Sequence, residues 1–365
     1  MSVEAILEAA VRAGDPPAAQ CCVLVDGAVV HESAHGCGLD SVFDVASVTK
    51  VVATTTAIAT LVERGELDLD DSVRRFLPDA AFDATLRALL AHASGLPAWR
   101  PFFREVIADP RAGAIYRGAS EAAWTAARRM VVDAVLASRL EMPGRRVYSD
   151  LGFITLGAVV DVVTAQRLDR FCDAELHAGR DMGFVDLCAP RSWLADRHVL
   201  ATGSTRPREP APGQEGLFDV PPQPRVPDAG RVDDDNAFAM GGVAGHAGVF
   251  GTARALAHFA HDAWIEDALG AARDRFLAIE PADGPPRALG FDVPTPGSSA
   301  GSLGAGARVY GHLGFTGCSL WIDLDRRLAV ALLTNRTLSG REHVASIRAL
   351  RPAFHDAVAE LLATR

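Results

Sequence analysis

Phe43-Asp44-Val45-Ala46-Ser47-Val48-Thr49-Lys50 is the stretch on which the reading of this chain turns. A serine and a lysine stand three positions apart where an apolar run begins, so on a helix their side chains leave the same face and meet. The spacing predicts one long helix over 47–64, closed by Gly65 as its C-cap. The start of that helix, beside Ser47, favours a developing alkoxide on its Oγ. Lys50, flanked by Val51, Val52 and Ala53, is expected to be desolvated, which destabilises its ammonium form and lets the amine accept a proton. Such a pair activates a serine without histidine.

Composition singles out the same lysine. Among 36 basic residues Lys50 is the sole lysine, and all others are arginine. Arginine stays protonated, so lysine is kept where a proton must be released. The remaining composition is that of a soluble globular protein: 365 residues, 49% hydrophobic and 22% charged, enough for a large core without covalent or metal staples. A net charge of -10 with no clustered basic face argues against a nucleic-acid partner. Cys21, Cys22, Cys37, Cys172, Cys188 and Cys318 form neither a Cys-x-x-Cys pair nor a zinc-site spacing, so free buried thiols are expected, with no metal and no cofactor. The first residues lack a basic segment followed by an apolar run, and no stretch reaches the roughly 18 apolar residues of a membrane span. No membrane partner and a cytoplasmic location are therefore expected.

Working outward, apolar runs at 20–25 and 28–33 flank Asp26-Gly27, a strong hairpin signal. Helical periodicity covers 3–13, 86–92, 120–140, 153–163 continuing past Leu168 toward His177, and 252–264. Strand-like runs follow at 288–293, 308–315, 318–324 and 328–334, and an amphipathic helix closes the chain at 342–363. Strands at both ends with helices between them predict an α+β fold. In it an antiparallel sheet built from both termini is flanked by helices (1–66 and 275–365), with a mostly helical region inserted at 67–274. Segment 201–236, with seven prolines from Pro207 to Pro227, reads as a long surface loop. Gly297-Ser298-Ser299-Ala300-Gly301 fits a Gly-x-Ser-x-Gly elbow but lacks its strand-to-helix context, so a mobile loop at the rim of the site is expected instead.

Five motifs stand in a familiar order: the opening stretch, Leu89-Leu90-Ala91-His92-Ala93-Ser94-Gly95-Leu96-Pro97, Tyr148-Ser149-Asp150-Leu151-Gly152-Phe153, Gly241-Gly242-Val243-Ala244-Gly245-His246-Ala247-Gly248 and His312-Leu313-Gly314-Phe315-Thr316-Gly317. Over roughly residues 20 to 340 the chain resembles the serine beta-lactamase and penicillin-binding-protein superfamily, most of all its class C, D,D-peptidase and esterase branch. The resemblance implies an α/β sandwich with a helical region and the site between them. It implies Ser47 as nucleophile, Lys50 as its proton-accepting partner and Tyr148 as the phenol that shuttles the proton. A tyrosine beside a cationic lysine has reason to ionise more easily. Which of the two is the base is a coupled titration, open at this point.

Two positions depart from the family pattern. Asp150 stands where Asn is commoner; an acid there pairs with Lys50, raises its pKa and offers a substrate carbonyl no donor, which weakens the peptide and beta-lactam readings more than the ester one. His312-Leu313-Gly314 replaces Lys-Thr-Gly, with His312 expected to donate to Tyr148 or to substrate. By the same resemblance Gly314 lets a strand backbone approach the acyl group, and the amides of Ser47 and Phe315 form an oxyanion hole. His246 is expected to line the site. The implied activity is that of a serine hydrolase acting through an acyl-enzyme on a small ester, amide or peptide, carboxylesterase-like or D-amino-acid-peptidase-like. Beta-lactamase or acyltransferase chemistry on the same fold is the alternative, and a catalytically silent ligand sensor is the reading from another class. Acyl specificity and oligomeric state are not legible.

Overall fold

Leu328–Thr334 is buried at every position because it is the middle strand of a five-stranded antiparallel sheet. It pairs with Ala19–Val25 on one side and Ser319–Asp323 on the other, while Ala28–His35 and Val309–Leu313 form the edges. A strand covered on both faces reads as a continuous apolar run. Its period of two then divides the side chains between two cores. Leu328, Val330 and Leu332 join Cys21 and Val23 beneath the terminal helices Val3–Arg12 and Val344–Ala363, against Leu7, Ile347, Phe354 and Val358. Ala329, Ala331 and Leu333 face the other way, into the main core with Cys22, Leu24 and helix Ala253–Ala260. The Asp26-Gly27 turn takes positive φ at both residues, 49° and 74°, as a two-residue hairpin requires.

These facts come from a computed structural model that describes residues 1–116, 120–189, 192–194, 196–203 and 228–364. The architecture is the expected one, an antiparallel sheet with strands from both ends of the chain, flanked by helices. Most of the 201–236 segment lies outside the described residues. No single helix among the described residues is long and apolar enough to cross a membrane.

Several local expectations are corrected. The helix expected over 47–64 is three pieces: a 3-10 turn at Ala46–Val48, a wide π turn at Lys50–Thr55 and an α-helix at Thr56–Glu63. The run is rich in β-branched residues, which crowd a helical turn, and Thr56 Oγ1 donates to the Val51 carbonyl at 2.7 Å across the wide turn. Ser47 therefore does not sit at the head of a long α-helix dipole. The helix Asp150–Thr164 stops at Ala165, which adopts φ 51°, and Leu168–Glu175 restarts at 71° to it. The run 288–293 is no strand: only Asp292 bridges to Gly311, and Gly290 turns at φ 78° against Thr55. Its Leu289 and Phe291 are apolar because they fill the core. A second sheet, Phe43–Asp44, Val249–Gly251 and Met182–Phe184, gave no periodic signal at two or three residues per strand.

Candidate active site

The nucleophile segment is held from below by Asp44. Ala46 takes φ 48°, a left-handed conformation that costs a non-glycine residue energy. Its N–H is secured by Asp44 Oδ1 at 2.8 Å, while Asp44 Oδ2 accepts from the Asp233 amide at 2.7 Å. Burial pushes the Asp44 carboxyl up to about 7, against the pull of those two amides. Sequence reading missed this residue although it lies within the opening stretch, because its partner is a loop amide far along the chain.

Above this turn the expected constellation is assembled. Lys50 is fully buried, and its Nζ lies 3.1 Å from Ser47 Oγ, 2.7 Å from Asp150 Oδ1 and 3.3 Å from the His246 carbonyl. Tyr148 lies beside them, with Lys50 Nζ 4.9 Å from the centre of its ring. Burial opposes the ammonium charge, as the sequence implies, but Asp150 and Tyr148 outweigh it and hold the Lys50 pKa above its ordinary value. The Tyr148 phenol is likewise raised: burial outweighs the help of Lys50, and Asp150 adds to it. The expectation of an easily ionised tyrosine is thus overturned by desolvation.

Tyr148 is fixed by a residue with no role assigned from sequence. His92, at φ 56°, accepts the Ser149 N–H on Nδ1 at 2.9 Å, and its carbonyl accepts from the Val147 amide at 2.9 Å. Its ring packs 4.6 Å from the Tyr148 ring. With Nδ1 accepting, its proton sits on Nε2, and burial drives its pKa well below the usual histidine value. The signal was present in the 89–97 motif, but nothing in the spacing said which chain segment the histidine would grip.

The remaining expected residues divide. Ser47, Tyr148, Asp150, His312, Gly314 and Phe315 all line one cleft of about 1080 Å³, together with Trp99, Arg287 and Arg348. His246 does not line it: its side chain is 1% exposed and turned to Asp234, with Nε2 2.9 Å from Oδ1, so its contribution to Lys50 is a carbonyl. His312 Nδ1 lies 2.8 Å from the Leu313 carbonyl and must donate to it, which leaves Nε2 as a bare acceptor. Burial lowers its pKa to about 4, so the ring is neutral and has no proton to give to Tyr148 or a ligand. Asp150, Asp234 and His246 gather their donor atoms within 4.8 Å of one another, a spacing that would suit a cation, but Asp150 is already paired with Lys50. Gly297 and Ser299 reach the cleft rim from a turn that leads into a short 3-10 segment at Gly301–Ala305, as their loop reading requires.

Gly314, which lines the cleft, also closes the turn beneath Ser47. A Cβ there would lie 2.4 Å from the Val45 carbonyl oxygen, so glycine is what lets the strand end Val309–Leu313 close onto the nucleophile segment. Thr316 Oγ1 adds a bond to the Asp44 carbonyl at 2.8 Å. Gly314→Ala should lower the unfolding free energy by about 1–3 kcal/mol, since the clash is with backbone and cannot be relieved by a rotamer change. Denaturant midpoints of the two proteins test this, and equal midpoints would contradict the contact.

Comparison with known proteins places the fold and the family. A putative D-alanyl-D-alanine carboxypeptidase of Escherichia coli (strain K12) is 26% identical over 335 residues, 85% of this chain and 73% of the relative. An N-acetylmuramyl-L-alanine amidase of Bacillus subtilis (strain 168) is 28% identical over 375 residues, 92% of this chain and 80% of the relative. A penicillin-binding protein homolog from Caulobacter crescentus shares the fold, with a TM-score of 0.68 at 20% identity over 98% of this chain and 96% of that one. The family model for beta-lactamases matches residues 3–353, nearly the whole of the described sheet and cleft, and the chain belongs to the beta-lactamase family.

Proposed function

We propose that this member of the family is a serine hydrolase that forms an acyl-enzyme on Ser47 with a small ester or amide. The observation that carries the reading is the buried Lys50 amine 3.1 Å from Ser47 Oγ, with the centre of the Tyr148 ring 4.9 Å from that amine. Ser47 Oγ attacks the carbonyl carbon as its proton passes to the neutral form of Lys50, and the oxyanion forms against the amides of Ser47 and Phe315. Tyr148 then donates its proton to the leaving group and is reprotonated from Lys50. Water, deprotonated by the same pair, releases the acyl group and restores Ser47.

Asp150 tilts the choice of substrate. Its carboxylate is engaged by Lys50 and presents no N–H to a substrate amide, so small esters are favoured over peptides. Trp99 and the 40% exposed Phe315 give the cleft aromatic walls for an acyl chain. The names of the curated relatives, a carboxypeptidase and an amidase, support D-amino-acid amides as the second class. Turnover of p-nitrophenyl acyl esters, D-Ala-D-Ala peptides and a chromogenic cephalosporin separates the esterase, peptidase and beta-lactamase readings. Failure of all three, with no covalent labelling of Ser47 by a fluorophosphonate, would favour the silent sensor.

The same pairing sets the pH dependence. Acylation needs Lys50 without its proton, and Asp150 holds that proton on, so kcat/KM should climb with pH into the alkaline range. Asp150→Asn removes the carboxylate that raises the Lys50 pKa, so the climb should begin at lower pH. A pH profile that stays in place, or moves upward, would show that Asp150 does not govern the base.

A further inference from the structure

Arg351 is 8% exposed, on helix Val344–Ala363, and has no carboxylate partner among the described residues. A guanidinium taken out of water ordinarily has one, because an uncompensated buried charge is costly. Arg351 instead directs its donors at three main-chain carbonyls: Nη2 at Gly314 (2.6 Å) and Cys318 (2.8 Å), and Nε at Gly317 (3.2 Å). Burial with so little compensation pulls its pKa down to about 10. All three carbonyls belong to the turn that joins Val309–Leu313 to Ser319–Asp323 and carries Phe315 into the cleft.

A trans peptide unit is planar, with its C=O and N–H pointing in opposite directions. The Gly314 carbonyl is drawn toward Arg351, so the N–H across that same plane, which is that of Phe315, is turned away from the helix. Gly314 packs against Val45, two residues before Ser47, so the nucleophile segment is close at hand. We propose that Arg351 is the positioning residue of the oxyanion hole: it locks the Gly314–Phe315 peptide so that the Phe315 N–H faces the carbonyl oxygen above Ser47. A cation on the carbonyl oxygen also polarises the peptide and strengthens its N–H as a donor. Only arginine offers five donors in a planar fork able to hold several carbonyls at once; lysine offers a point charge. The inference rests on the acyl-enzyme reading above.

The test compares wild type, Arg351→Met and Arg351→Lys. Substrates are a neutral p-nitrophenyl ester and its thionoester, in which sulfur replaces the carbonyl oxygen and bonds weakly to amide donors. Ser47 labelling by a fluorophosphonate, read by intact mass, runs alongside. Arg351→Met should lower kcat on the oxygen ester about a hundredfold, in the range of a lost oxyanion donor, and should affect the thionoester far less. Arg351→Lys should recover part of the difference, and serves as the informative variant if the Met protein fails to fold. Equal losses on both esters would reduce Arg351 to a structural residue, and a change confined to KM for anionic acyl donors would make it a grip on substrate; either overturns the proposal. A labelled wild type with unaffected variants sinks this inference alone, whereas a wild type unlabelled at Ser47 sinks the acyl-enzyme reading with it.

Discussion

Ser47→Ala should reduce turnover at least about 10⁴-fold and abolish fluorophosphonate labelling altogether, as loss of a nucleophile does. The substitution removes one hydroxyl from a partly exposed position at the cleft floor. Lys50 keeps its bonds to Asp150 and the His246 carbonyl, so the fold should not respond. Melting temperature therefore serves as the internal control: unchanged stability with lost labelling assigns the nucleophile, and retained labelling would place it elsewhere. Binding of a non-reactive substrate analogue should survive, since no wall of the cleft has changed.

Lys50→Arg should slow acylation at least about a hundredfold, the lower end of what a positioned acid–base group contributes. Arginine is the informative replacement. Lys50→Ala would leave the Asp150 carboxylate without its partner in a half-dry site and cost about 3–5 kcal/mol in stability, confusing loss of chemistry with loss of fold. Arginine keeps the charge beside Asp150 and cannot surrender a proton near neutral pH. Its extra bulk in a fully buried pocket should cost about 1–3 kcal/mol, which a chain of this size tolerates. Stopped-flow acylation by a p-nitrophenyl ester gives the rate. An Arg variant as fast as wild type would mean that the lysine only supplies charge, and the proton would have to travel by another route.

What the sequence made legible was whatever repeats with a short period or depends on neighbours in the chain. The Leu328–Thr334 strand was found at its true boundaries, because both its faces are apolar, and the hairpin was found from Asp26-Gly27. Ser47 and Lys50 met as expected because three positions on any tight helical turn bring side chains together, even though the turn proved to be 3-10 and π rather than α. The parts that stayed hidden are long-range. Asp44 reaching the Asp233 amide, His92 gripping Ser149 and Arg351 crossing to Gly314 each join segments far apart in sequence, and no local pattern encodes the partner. The protonation states were misjudged for the same reason. His312 depends on a neighbouring carbonyl and its burial, and Tyr148 on how much water is excluded around it.

The pairing of Ala19 with Thr334 has a consequence for biosynthesis. The hairpin leaves the ribosome long before its partner, and one edge of Ala19–Val25 has no mate until Leu328–Thr334 has been translated. At about 5–20 residues per second that interval is on the order of 15 to 60 s. Throughout it an apolar strand, Ala-Gln-Cys-Cys-Val-Leu-Val, offers unsatisfied amides and carbonyls to any other nascent chain. Slower translation or chaperone depletion should therefore raise the share of the protein found in inclusion bodies without altering a single contact of the finished molecule.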